Sequence, residues 1–96
     1  MQEKDKKQLL LFVERMGMYI IGINKGTITA FIHGYETGRQ NQCKFTQQLS
    51  SIVAQKHHIE RTANGWIGQI ERLTEKLNSD WVTVFKQESI KILISH

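Results

Sequence analysis

Four histidines, one cysteine and a few arginines are the residues here whose types could do chemistry, and their spacing decides what chemistry that is. His57 and His58 are adjacent. Helical neighbours point about 100° apart, so two such imidazoles cannot close on one metal as an i, i+4 pair does. Cys43 lies well upstream of them, and no second cysteine or spaced acidic ligand joins the set, so the pattern implies no metal. A Cys43 nucleophile needs a positioned histidine base, which sequence cannot place, and a buried or half-buried free thiol is the expectation. The chain has no glycine-rich phosphate loop. The pattern therefore points away from an enzyme and implies no cofactor. What it offers is recognition. Arg15, His33, Arg39, His57, His58 and Arg61 interrupt or flank apolar stripes and are the candidate partner-binding residues.

Ninety-six residues make one domain, 1–96. A chain of this length buries roughly 60–65% of its unfolded surface, so most of its apolar residues must serve the core rather than a substrate cavity. Thirteen Lys and Arg stand against nine Asp and Glu, a net charge of +4 with the signs mixed along the chain. Such a balance permits an acidic partner or nucleic acid without requiring either. A lone cysteine suits a reducing compartment. The apolar run Leu9 to Val13 is shorter than the roughly seven residues a secretory signal needs, and no stretch nears the ~18 of a membrane span. A cytoplasmic protein away from the membrane is expected.

Five segments carry a helical period. The first spans Asp5 to Met16, with Leu9, Phe12, Val13 and Met16 on one face. The second opens at Thr27 as N-cap and sets Ile28, Phe31, Ile32 and Tyr35 at i, i+3, i+4 and i+7. A third begins near Thr46 with Leu49, Ile52 and Val53, and a fourth follows Asn64-Gly65 with Trp66, Ile67, Ile70, Leu73 and Leu77. Asn78-Ser79-Asp80 then caps a fifth, carrying Trp81, Val82, Phe85, Ser89, Ile92 and Leu93. These spacings predict an all-α, irregular bundle of four to five helices, with Phe31, Ile32, Tyr35, Trp66, Ile70 and Phe85 in one core. Two short runs, 18–23 and 90–94, also fit period two, and the alternative is an α+β fold in which they pair.

Two glycine–aromatic corners punctuate the pattern. Gly17 is placed to take a left-handed conformation that stops the first helix, turning Met18 and Tyr19 back onto the core. Arg15, just upstream, could bind the last helix carbonyls or, with Tyr19, an anion or partner. Gly34-Tyr35 lies inside the second helix, where glycine costs roughly 1 kcal/mol against alanine, and close approach of another helix backbone is the expected compensation.

Arg15 to Gly22 is similar to the Arg-Pro-Gly-Met-Tyr-Ile-Gly run of type II topoisomerase ATPase subunits, but Met16 replaces the proline and Ile21 is inserted before Gly22. The helix after it lacks their acidic and asparagine residues, and the chain is too short for their nucleotide domain, so ATP hydrolysis is rejected. A second set matches better in order, across roughly residues 12 to 85. Arg15, Gly17, Met18, Tyr19 and Ile20, then Phe31, Ile32, Gly34 and Tyr35, then Gly65 and Trp66, resemble a pattern in small, little-characterised bacterial proteins, Arg-x-Gly-Met-Tyr-(Leu/Ile), Phe-(Leu/Ile)-x-Gly-Tyr and Gly-Trp. These look like immunity proteins of polymorphic or contact-dependent toxin systems. The resemblance implies a non-catalytic bacterial interaction domain that neutralises a toxin domain by occluding its site, and the net positive charge implies an acidic surface on that target. The alternative is a small helix-turn-helix-like DNA-binding regulator using residues 46–77. Aligning its helices puts His58 at the usual turn glycine and Asn64-Gly65 where an aliphatic residue belongs.

Overall fold

In a computed structural model, which describes residues 1–94, the chain runs through α1 (Glu3–Glu14), a 3-10 turn (Met16–Met18), α2 (Lys25–Gly38), α3 (Phe45–His57), α4 (Gly65–Leu77) and α5 (Trp81–Leu93). No strand occurs among the described residues, so the fold is an all-α bundle of five helices. The period-two runs do not pair. Residues 18–23 finish the 3-10 turn and cross to α2, while α5 continues to Leu93 with Ile94 as its C-cap. The alternation at 90–94 is overridden because Phe85, Glu88, Ser89 and Ile92 already share the buried helical face.

Capping chemistry sets most boundaries. Asn24 accepts the Thr27 N–H at 3.0 Å, and the Thr27 hydroxyl accepts the Asn24 N–H at 3.1 Å, a complete capping box. Thr27 is thus the third residue of α2, not its N-cap. Asp80 opens α5 by accepting the Thr83 N–H and hydroxyl at 2.9 and 2.8 Å, which holds its carboxyl below the usual range. Lys44, at φ 60, gives α3 no side-chain cap. The cap comes from α2 instead: Glu36 accepts the Thr46 N–H at 3.0 Å and its hydroxyl at 2.7 Å.

Two expectations about glycine fail. The first helix stops at Arg15, whose N–H reaches the Leu11 and Phe12 carbonyls, and Gly17 sits inside the 3-10 turn without a positive φ. With three residues per turn, Met16 and Tyr19 share a side, so Met16 is buried while Met18 faces solvent instead of the core. The left-handed glycine of this corner is Gly22, at φ 77. Gly34 receives no close helix either, for a Cβ added there meets nothing within 4 Å. The glycine that does need its missing side chain is Gly68, where a Cβ falls 2.6 Å from the Asn64 Cβ.

The core runs through all five helices. Ile32, Ile70 and Phe85 are fully buried and Trp66 nearly so, with Phe31 and Tyr35 packed partly exposed against them. Helix α5 is central, packing on α1, α3 and α4, while α4 also lies along α3. Helix α2 joins through Ile28 and Ile32 in the core and through side-chain bonds, Glu36 to Thr46 of α3, Lys25 to Glu71 of α4, and Tyr35 and Arg39 to Asp5 of α1.

Candidate partner-binding surfaces

The corner motif builds an aromatic ladder between α1 and α2. Phe12 and Phe31 stack with centroids 3.9 Å apart, and Tyr19 meets both edge-on at 5.7 and 5.6 Å. Phe31 then stacks on Tyr35 at 6.5 Å, and the Tyr35 hydroxyl donates to Asp5 at 2.8 Å. Arg39 finishes the ladder: its Nε donates to the same carboxylate at 2.8 Å, and Nη2 reaches Gln2. Asp5 is buried, and the Arg39 guanidinium holds its carboxyl below the ordinary range even though burial pushes the other way. Burial, then the Asp5 carboxylate, push the Tyr35 phenol up, so it remains a hydrogen-bond donor. Tyr19, Phe31, Tyr35 and Arg39 therefore join two helices. Cys43 is a buried free thiol, raised by burial.

Beyond this ladder the same corner turns apolar side chains outward. Ile21 is 99% exposed, Met18 76%, Ile23 46% and Tyr19 43%. The cause is local: α1 has ended, the 3-10 turn has spent its inward position on Met16, and Gly22 reverses the chain before Asn24 caps α2. Arg15 lies beside this patch, exposed, with no side-chain hydrogen bond or ion pair among the described residues.

The other candidate residues separate into two groups. Arg39 and His57 are spent on the fold, Arg39 on Asp5 and His57 on Glu88, whose buried carboxylate accepts from the ring Nε2 at 3.0 Å and from the Lys91 ammonium at 2.8 Å. His33, His58 and Arg61 are exposed. His33 stands edge-on to Trp66 at 6.5 Å, and the Arg61 guanidinium lies over Gly65, within 3.5 Å of where a Cβ would be. Both thus gather at the N-terminal end of α4. His58 is the left-handed C-cap of α3, and Arg15 sits apart at the end of α1. His33 and Arg61 lie near the start of α4 against different residues, Trp66 and Gly65, and the six do not form one set. Trp66 itself is buried in a cluster with Trp81 and Phe85, at 6.0 and 5.9 Å.

Sequence reasoning missed a stripe of donors on α4. Gln69, fully buried, donates to the carbonyls of Ser50 at 3.1 Å and Ile59 at 2.9 Å and accepts the Ser50 hydroxyl at 2.6 Å. One turn on, Arg72 donates to the Glu60 carbonyl at 2.6 Å, and Lys76 donates to the His57 carbonyl at 3.1 Å. At i, i+3 and i+7 these side chains share a face; Gln69 and Arg72 hold the 58–64 connection by its backbone, and Lys76 holds the end of α3. The positive charge of Lys76 also suits the C-terminal end of α3. A polar residue within an apolar period was the available signal for Gln69.

A second surface is concave. A groove of about 630 Å³ opens between α3, the start of α1 and the end of α5, and four lysines line it: Lys6, Lys44, Lys56 and Lys91. Among the described residues, its lining includes no carboxylate. Among the described residues no three His, Cys, Asp or Glu side chains converge as a metal-binding group, and no helix is long and apolar enough to cross a membrane.

No protein family, curated protein or solved structure matches this chain.

Proposed function

We propose that the chain is a non-catalytic bacterial interaction domain, an immunity- or antitoxin-like protein that binds a toxin domain in the cytoplasm and neutralises it by occluding its site. The observation carrying this reading is the corner at 18–23. Three aliphatic or thioether side chains and one tyrosine ring are exposed there within six consecutive residues, near Arg15, which makes no ion pair among the described residues, whereas the other exposed large apolar residues, Leu77 and Ile94, stand singly at helix ends. Clustered exposed apolar surface with a charged rim is the ordinary make-up of a protein-binding patch. Aromatic and arginine anchors carry most of the energy of such interfaces, and Tyr19 and Arg15 are of those types. Tyr19 is also half-fixed by Phe12 and Phe31, so little rotamer freedom is lost when a partner covers it.

The regulator using residues 46–77 has less support. The start of α4, which a groove-reading helix must present, is buried at Trp66, Gly68 and Gln69, and its two cations are engaged, Arg72 on the Glu60 carbonyl and Lys76 on the His57 carbonyl.

The test is titration of the purified chain against the product of the neighbouring gene, beside host-promoter and random DNA at ~0.15 M salt. One-to-one capture of the neighbour, with protection of the host from it, is expected, and an Ile21→Asp, Met18→Asp variant should lose it while keeping its helical spectrum. Nanomolar, sequence-selective DNA binding refutes the proposal.

A further inference from the structure

We infer that the lysine-lined groove between α3, the start of α1 and the end of α5 is the docking site for an acidic polypeptide segment, and that this segment belongs to the partner. The inference rests on the interaction reading above and deepens it by giving the partner's chemistry at a second surface.

The groove wall is one face of α3. Gln47, Gln48, Ser51, Ile52, Gln55 and Lys56 recur at the spacing that keeps side chains on one side of a helix. Lys44 closes one end from its left-handed position before α3. Met1 and Lys6 come from the start of α1, and Lys91 and Ile92 from the last turn of α5. Two of the four cations are already answered. Lys6 lies 3.8 Å from Glu3, and Lys91 is bonded to the buried Glu88. Lys44 and Lys56 are exposed and make no ion pair among the described residues, so the field in the groove stays positive. Concave walls focus such a field and raise the local concentration of anions.

Three details select a carboxylate-bearing peptide over nucleic acid. Among the described residues the lining has no aromatic ring on which a base could stack. It has no arginine, the side chain that forks onto phosphate or guanine. It does have three glutamines, whose amides both donate and accept as a peptide backbone requires, while Met1, Ile52 and Ile92 supply apolar floor. The volume lies in the range that encloses a few side chains rather than a duplex.

The probe is a capped octaglutamate peptide, followed by amide NMR shifts in the chain and by fluorescence anisotropy, with a random DNA duplex and inorganic phosphate in parallel. The variant is Lys44→Asn with Lys56→Gln. Asparagine tolerates the left-handed backbone at 44, and glutamine is a good helix former at 56. Peptide shifts should map to residues 44–56 and to Lys6 and Lys91. The double variant, with an unchanged helical spectrum, should bind the peptide roughly five- to twentyfold more weakly, as expected for two solvent-accessible ion pairs. No peptide binding, binding that the variant leaves unchanged, or tighter binding of the duplex or of phosphate at the same lysines overturns the inference. Capture of the neighbouring gene product separates the two proposals. If wild type captures it and the double variant does so equally well, the groove fails and the interaction reading stands. If wild type captures nothing, the interaction reading fails whatever the peptide does.

Discussion

Replacing Gln69 by leucine removes the side chain that ties α3, α4 and their connection together. Leucine nearly conserves the volume, so the cavity cost is small and the loss is one of hydrogen bonds. The Ser50 carbonyl lies within α3 and keeps its helical partner. The Ile59 carbonyl and the Ser50 hydroxyl lose the partners they have on Gln69, at 2.9 and 2.6 Å. Each buried polar group left unsatisfied costs about 1–3 kcal/mol. Because the hydroxyl can rotate towards a backbone carbonyl in its own helix, the sum should fall near 2–4 kcal/mol. A domain this size has roughly 5–14 kcal/mol in all, so the variant should remain folded but lose about 10–20 °C in Tm. Urea unfolding followed at 222 nm measures the loss directly. Adding Ser50→Ala removes one orphaned group, so the double variant should be about 1 kcal/mol more stable than Gln69→Leu alone. A Gln69→Leu protein within about 0.5 kcal/mol of wild type would refute the argument that this network sets the α3–α4 geometry.

Gly34→Ala should stabilise by about 0.5–1 kcal/mol, because the added Cβ meets open space and the unfolded chain loses freedom, whereas Gly68→Ala should destabilise through its 2.6 Å approach to Asn64; paired urea curves decide both. Trp66→Ala should cost about 3–5 kcal/mol, more than Gln69→Leu, read as a lower urea midpoint by circular dichroism. Asp5 has its folded pKa lowered by Arg39, so its contribution is fully present above the ordinary aspartate range near 4 and is lost as pH falls through the folded value. The wild-type urea midpoint should therefore drop between about pH 5 and pH 2 more steeply than that of Asp5→Asn. Amide exchange in α2 should be faster than in α4 and α5, since α2 buries only Ile28 and Ile32 and is held largely through side chains; equal protection would count against that account.

Helix number, order and most of the core were legible in the sequence because each depends on local periodicity. Ile28, Ile32, Ile70 and Phe85 sit where a 3.6-residue repeat places them. Asp80 was legible as a cap because its partner, Thr83, is three residues away. What failed depends on distance or on fine backbone geometry. The Thr46 cap comes from Glu36 on another helix, and no local pattern announces it. A 3-10 turn and an α-helical stop share the sequence Met16-Gly17-Met18, yet they send Met18 in opposite directions. Arg39 and His57 looked free because each breaks an apolar stripe, and their partners Asp5 and Glu88 lie more than thirty positions away. The groove was least legible of all, since Lys6, Lys44, Lys56 and Lys91 come from three helices and share no motif.

The connection at 58–64 is gripped by its carbonyl oxygens, and every amino acid carries the same carbonyl. Its path is therefore written in α4, not in its own side chains. Glu60, Arg61, Thr62 and Ala63 all face solvent, so substitutions there alter the surface on display without moving the chain that displays it. Such an arrangement separates the hereditary frame from the variable face. Descendants of this domain can drift at those four positions while Gln69 and Arg72 stay constant, and an engineer can randomise them with the loop's course held fixed.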